Sequence, residues 1–191
     1  MNSIFKYTEN NCEVIITGLK KGVSDTSIVI PETINGKPVV AIGPKAFKST
    51  SITAIKIGKN IRKIEKNAFH KCEKLSSVTW NCKCNAIPSY CFYMCPNLTN
   101  FDFAGIKKIE QDAFGKSGLI SVTLNKETAV VQSCFAYCND LKKIEWLSAR
   151  NIKGDIFKEC KNIKEIYISD KVKNIEASAF ASSPNAEITF I

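Results

Sequence analysis

Apolar and polar positions along this chain follow a short, recurring motif with no helical period. The stretch L-x-x-I-x-I returns as ITAIKI (52–57), LSSVTW (75–80), LTNFDF (98–103), LISVTL (119–124), LKKIEW (141–146) and IKEIYI (163–168), and ends as AEITF (186–190). Its last three residues alternate apolar, polar, apolar, the signature of a short half-buried strand. Between these stretches a phenylalanine recurs at 47, 69, 92, 114, 135, 157 and 180, at intervals of 21–23 residues. Five positions before each lies Ile42, Ile64, Ile87, Ile109, Val130, Ile152 or Ile175. Directly before each lies Ala46, Ala68, Cys91, Ala113, Cys134, Ile156 or Ala179.

A unit this short cannot bury its apolar face alone, but stacked units can, each covering its neighbour. The strands then form parallel ladders with ~4.8 Å between coils. Seven coils make a rod about 30 Å long on that spacing. The phenylalanines are expected to stack as a buried interior column. The segment around each reads as a short helical or 3₁₀ turn. A second apolar slot at Ile61, Cys84, Ile106 and Val172 marks a further short extended segment. Glu127, Thr128 and Ala129 break that slot, so the fifth coil is expected to be irregular.

Residues 1–41 do not repeat. Asn35-Gly36 between two apolar runs is a type I′ hairpin signal. IFKY and CEVIIT, separated by TENN, predict a second hairpin. The expected organisation is a single domain, with an N-terminal β-hairpin cap over 1–41 and seven leucine-rich repeats over 42–191. The fold class is a leucine-rich-repeat solenoid, mainly β, a right-handed coil of short parallel strands. The last strand stops at Phe190-Ile191 without a cap. The chain is then a fragment, or a partner or second copy covers that edge.

The phrase VIPETINGKPVVAIGPKAF, followed by IRKIEKNAFHKCEKLSSVTW, resembles the BspA-like leucine-rich repeats of bacterial surfaces. The resemblance runs from about residue 4 to the end and includes the A-F-x-x-C motif. The family's Ile-Pro after the strand occurs here in the cap, at Ile30-Pro31. The resemblance implies a non-enzymatic adhesin that binds matrix or cell-surface proteins, and a cell-surface location. The N-terminus, in contrast, has no signal-peptide pattern and predicts a cytoplasmic protein.

The chemistry available is sparse. Of nine cysteines, seven occupy repeat slots. They read as small hydrophobes in a reduced core. Cys72/Cys95 and Cys138/Cys160 would be ladder neighbours within disulfide reach, but the odd count and missing export signal argue against bridges. Cys82-x-Cys84 with Cys91 and Cys95 lacks the paired C-x₂-C of zinc sites. No cofactor and no metal is expected. Cys12 and Cys82 should be the exposed thiols, and His70, the single histidine, should face solvent. One histidine excludes any two-imidazole mechanism, and no nucleotide, zincin or serine-nucleophile motif is present. Asn97-Leu98-Thr99 is a glycosylation sequon, accidental in a chain without an export signal. No apolar run reaches the ~20 residues of a membrane span, so no membrane insertion is expected.

The formal net charge is +9. It reads as a solubilising surface, with an anionic glycan or acidic protein as the partner it would favour. Nucleic acid is not expected, because stacking aromatics are not interleaved with the lysines. Outward residues of the early strands are mostly small, whereas Lys143, Glu145, Leu147, Glu165 and Tyr167 on two later coils are bulky and charged. Interface hot spots favour aromatic anchors over Ser and Thr. These five residues are therefore the expected ligand-binding patch of a protein-binding module. The alternatives are self-association through the C-terminal coil into a homo-oligomer, or anionic glycan binding by the lysines. A plain Lys143–Glu165 ion pair is the uneventful reading of the same residues.

Overall fold

The computed structural model describes residues 3–191. The N-terminal segment carries β1 (Phe5–Glu9), β2 (Val14–Leu19), β3 (Ser27–Val29), β4 (Thr33–Ile34) and β5 (Lys37–Ile42). There follow β6 (Ala54–Ile57), β7 (Lys63–Ile64), β8 (Ser77–Trp80), β9 (Ala86–Ile87), β10 (Lys108–Ile109), β11 (Ser121–Leu124), β12 (Ala129–Val130), β13 (Lys143–Trp146), β14 (Glu165–Ile168) and β15 (Glu187–Phe190). The longer strands stack as two parallel ladders, β3-β6-β8 and β11-β13-β14-β15. The two-residue strands stack beside them, with β7 on β5 and the order β12-β10-β9 further along. This is a β-solenoid, and its interior is one continuous apolar core.

The phenylalanine column is present. Phe47, Phe69, Phe92, Phe114, Phe135 and Phe157 are fully buried. Successive rings from Phe47 to Phe180 stack at 5.4, 5.3, 5.2, 5.7, 5.5 and 5.7 Å between centroids. Phe5 of β1 stands edge-on to Phe47, at the head of the column. The hairpins also form. β1 pairs antiparallel with β2, and Asn35 and Gly36 turn β4 into β5 with φ of 53° and 76°. The same segment is already wound into the ladders, because β2 pairs in parallel with β5 and β3 with β6.

The turn around each phenylalanine differs from the expected short helix. No residue among those described is helical. The residues two before and two after Phe47, Phe69, Phe92, Phe114 and Phe135 are left-handed, for example Asn67 (φ 60°) and Lys71 (φ 58°) around Phe69. A left-handed L-residue costs roughly 1–2 kcal/mol. The return is main-chain bonding between coils. Phe69 N–H donates to the Cys91 carbonyl (3.0 Å), Asn67 N–H to Ser89 (3.0 Å) and Lys71 N–H to Tyr93 (2.9 Å). A helix would use those N–H groups within its own coil and leave the next coil unbonded.

The slot three residues after each phenylalanine forms a second column. Cys72, Cys95, Cys138 and Cys160 donate their thiols to the carbonyls of Phe47, Phe69, Phe114 and Phe135, at 2.9–3.2 Å. Hydroxyls take the slot elsewhere: Thr50 Oγ1 donates to Phe47, and Ser183 Oγ to Cys160. The slot therefore selects a small donor rather than a pure hydrophobe.

The irregularity lies in the fourth coil, not the fifth. Ala129–Val130 pairs in register with Lys108–Ile109. Thr128 is buried because its Oγ1 donates to the Ile106 carbonyl at 2.8 Å, which makes a hydroxyl acceptable in an apolar slot. In contrast, LTNFDF forms no strand, and the long ladder is interrupted between β8 and β11. Phe101 and Phe103 both point inward and crowd Trp80, Phe92 and Phe114 at 5.1–5.7 Å. Aliphatic residues fill these slots in the next coil, as Val122 and Leu124. Two rings in these slots set this stretch apart from the paired strands, which hold one ring there at most. At the far end, β15 pairs only with β14, and its Ile188 and Phe190 are exposed.

Two outcomes follow from this packing. Phe114→Ala should destabilise by about 3–5 kcal/mol in a urea titration. Cys95→Ser should be nearly neutral, since a hydroxyl fits that slot, whereas Cys91→Ser should cost about 1–3 kcal/mol by burying a hydroxyl with no acceptor.

Candidate interaction surface

Parallel pairing sets the surface. Lys143 lies opposite Glu165, and Glu145 opposite both Thr123 and Tyr167. The strand period of two turns these residues outward, while Ile144, Trp146, Ile166 and Ile168 go to the core. Four of the five predicted residues form one bonded group. Lys143 Nζ lies 2.8 Å from Glu145 Oε1 and 4.9 Å from the centre of the Tyr167 ring. Thr123 Oγ1 donates to Glu145 Oε2 at 3.0 Å, and the Tyr167 hydroxyl donates to Glu165 Oε2 at 3.3 Å. The ion pair thus runs along one strand, from Lys143 to Glu145, and not across to Glu165. The Lys143 ammonium, then the Thr123 hydroxyl, hold the Glu145 carboxyl below the usual glutamate range. Leu147 stands apart from the group. It borders a crevice of about 320 Å³ left by the missing fourth-coil strand, beside Asn100, Phe103, Thr123 and Asn125.

The other candidates do not gather into a site. Cys82 is half-buried beside Cys84, so Cys12 alone of the two predicted thiols is exposed. Burial pushes the Cys72, Cys91, Cys95 and Cys134 thiols up and keeps them protonated. That disfavours both metal ligation and nucleophilic attack. Among the described residues no three His, Cys, Asp or Glu side chains come together as metal ligands. No helix among them is long and apolar enough to cross a membrane. His70 is half-buried rather than exposed, because Tyr93 of the next coil packs against its ring at 5.5 Å. Burial, then Lys48, Lys71 and Lys45, lower its pKa. Tyr93 itself belongs to a group of tyrosines on the turn face that the sequence pattern alone does not assemble.

The repeat signature matches the BspA type leucine rich repeat region, in six copies, over residues 20–142 and 128–191. The chain belongs to the BspA-type leucine-rich repeat family. These are generally non-catalytic repeat proteins, typically protein-interaction or surface modules. Solved structures share the fold. A leucine-rich repeat protein from Bacteroides ovatus is 23% identical, with a TM-score of 0.80 over 100% of this chain and 58% of its own. The leucine-rich repeat protein of T. pallidum is 22% identical, with a TM-score of 0.78 over 96% of this chain and 88% of its own. The pneumococcal vaccine antigen PcpA is 18% identical, with a TM-score of 0.54 over 100% of this chain and 49% of its own. This chain thus spans little more than half the length of the Bacteroides protein and half that of the pneumococcal one. No curated protein matches it.

The charge network has a direct readout. In an NMR titration the Glu145 carboxyl should titrate below the usual glutamate range, and Lys143→Met should raise its midpoint. Its stabilising contribution is present above the unfolded pKa and fades as pH falls through the folded midpoint.

Proposed function

We propose that this chain is a non-catalytic binding module that holds a protein ligand on its strand face, at Lys143, Glu145, Leu147, Glu165 and Tyr167. The observation that carries this reading is the fixed Tyr167 ring, held between Lys143 and the hydroxyl's bond to Glu165. Side chains already ordered lose less entropy when a partner arrives. Tyrosine also offers apolar area with a polar tip. Leu147 and its crevice add an apolar recess next to this group.

The test is affinity capture with wild type and a Tyr167→Ala, Leu147→Ser variant of equal thermal stability. The variant should lose ligands that wild type retains; equal capture by both excludes this patch. Two other readings have their own support. The lysine excess supports an anionic glycan, which would show as heparin binding that collapses with salt. The exposed Ile188 and Phe190 of β15 support self-association, which sedimentation would detect as a concentration-dependent dimer.

A further inference from the structure

The turn face carries side chains that the coil does not require. Tyr90, Met94 and Tyr137 occupy left-handed positions, with φ of 57°, 58° and 61°. Bulky residues are uncommon there, while Asn and Asp are favoured. Other coils fill the same slots with Lys45, Lys71 and Glu159 as well as Asn67, Ser49 and Ser133. The tyrosine rings do not pack into the core; they pack on one another and on their surface neighbours. Tyr90 meets Tyr93 edge to face at 5.6 Å. Lys116 Nζ lies between Tyr93 and Tyr137, 5.9 and 5.5 Å from their ring centres. Gly115 makes room for this: a Cβ there would come within 2.9 Å of the Tyr93 ring.

Beside these rings lies a hollow of about 360 Å³, lined by Pro96, Lys116, Gly118, Tyr137 and Asp140 among others. Its origin is a turn one residue shorter than its neighbours. Three residues separate Phe114 Cα from Gly118, and Leu119 follows directly, whereas Asn139 and Asp140 both precede Leu141 in the next coil. The missing residue leaves Gly118 pressed against the Pro96 carbonyl and opens the space in front of it. Charge around the patch is mainly positive. Lys45, Lys48 and Lys71 surround His70, which packs on Tyr93. Asp140 on the rim, and Asp112 and Glu110 near Tyr90, are opposing carboxylates.

We propose that this turn face is a second docking surface, for an acidic protein segment. An apolar side chain of that segment enters the hollow, and one of its carboxylates pairs with Lys116 between the tyrosines. A polyanionic glycan would instead need a row of cations along the centre, where this patch has one lysine among tyrosines. The rings of Tyr90, Tyr93 and Tyr137 gather at the surface beside Lys116 without entering the core, which leaves them free to contact a partner. Tyrosine and methionine are also enriched in protein interfaces.

The experiment uses the full chain and fluorescein-labelled dodecapeptides of alternating Glu and Phe, with Gln replacing Glu in the control. Heparin serves as the glycan probe. The test variant is Tyr90→Asn with Tyr137→Ser, which restores residues found in the same slots of other coils. The Glu peptide should bind saturably, and the Gln peptide about tenfold more weakly. The double variant should keep or raise the melting temperature and lose about tenfold or more in peptide affinity. Lys116→Gln should abolish the preference for Glu over Gln. The Tyr167→Ala, Leu147→Ser variant should bind the peptide as wild type does, which separates this surface from the strand face. The proposal is overturned by absence of saturable peptide binding, by unchanged affinity in the double variant, or by a fall in its melting temperature. Patch-dependent binding of heparin in place of the peptide would also overturn it.

Discussion

Each coil must hydrogen-bond to the next around most of its circumference, because a coil of 21–23 residues holds too little apolar surface to stand alone. The strands do this on two walls. On the third wall the left-handed residues flanking the first five phenylalanines turn the main-chain N–H groups toward the following coil. The phenylalanine then fills the interior that those three walls enclose. Its stacking at 5.2–5.7 Å follows from the coil rise and does not itself set it. Most polar side chains in the interior join the same scheme. The thiols after Phe69, Phe92, Phe135 and Phe157 and the Thr128 hydroxyl all donate to a carbonyl of the coil before.

Because the backbone scheme closes on itself, the outward side chains are free to vary. The strand face uses that freedom for a charge network around Tyr167, and the turn face for a cluster of tyrosines around Lys116. The interrupted fourth coil lies between the small-residue strands and the bulky ones, and its crevice borders Leu147. Crowded rings inside that coil therefore shape the outer surface.

The period, the phenylalanine column and the strand register were legible in the sequence because each depends on which side chains are apolar. The turn conformation was not. Its left-handed slots accept Lys, Ser, Asn, Tyr and Glu alike, so no residue type announces them. Thr128 looked like a disruption because its acceptor, the Ile106 carbonyl, belongs to another coil. LTNFDF alternates as its neighbours do, and only the volume of two phenylalanines distinguishes it. At the strand-face site the residues could be placed but not paired, since Lys143 has one carboxylate along its strand and another across from it. The turn-face tyrosines were visible as residues; their grouping needed the coil-to-coil contacts.

Native-state hydrogen exchange tests the bonding scheme most directly. The amides of Phe69, Phe92 and Phe114 should exchange as slowly as those of β11 and β13, since they bond to the next coil at 2.8–3.0 Å. Among the described residues, Asn100 to Phe103 donate no main-chain bond to another coil, so their amides should exchange far faster. Fast exchange at the phenylalanine turns, or strand-like protection across 100–103, would contradict the account.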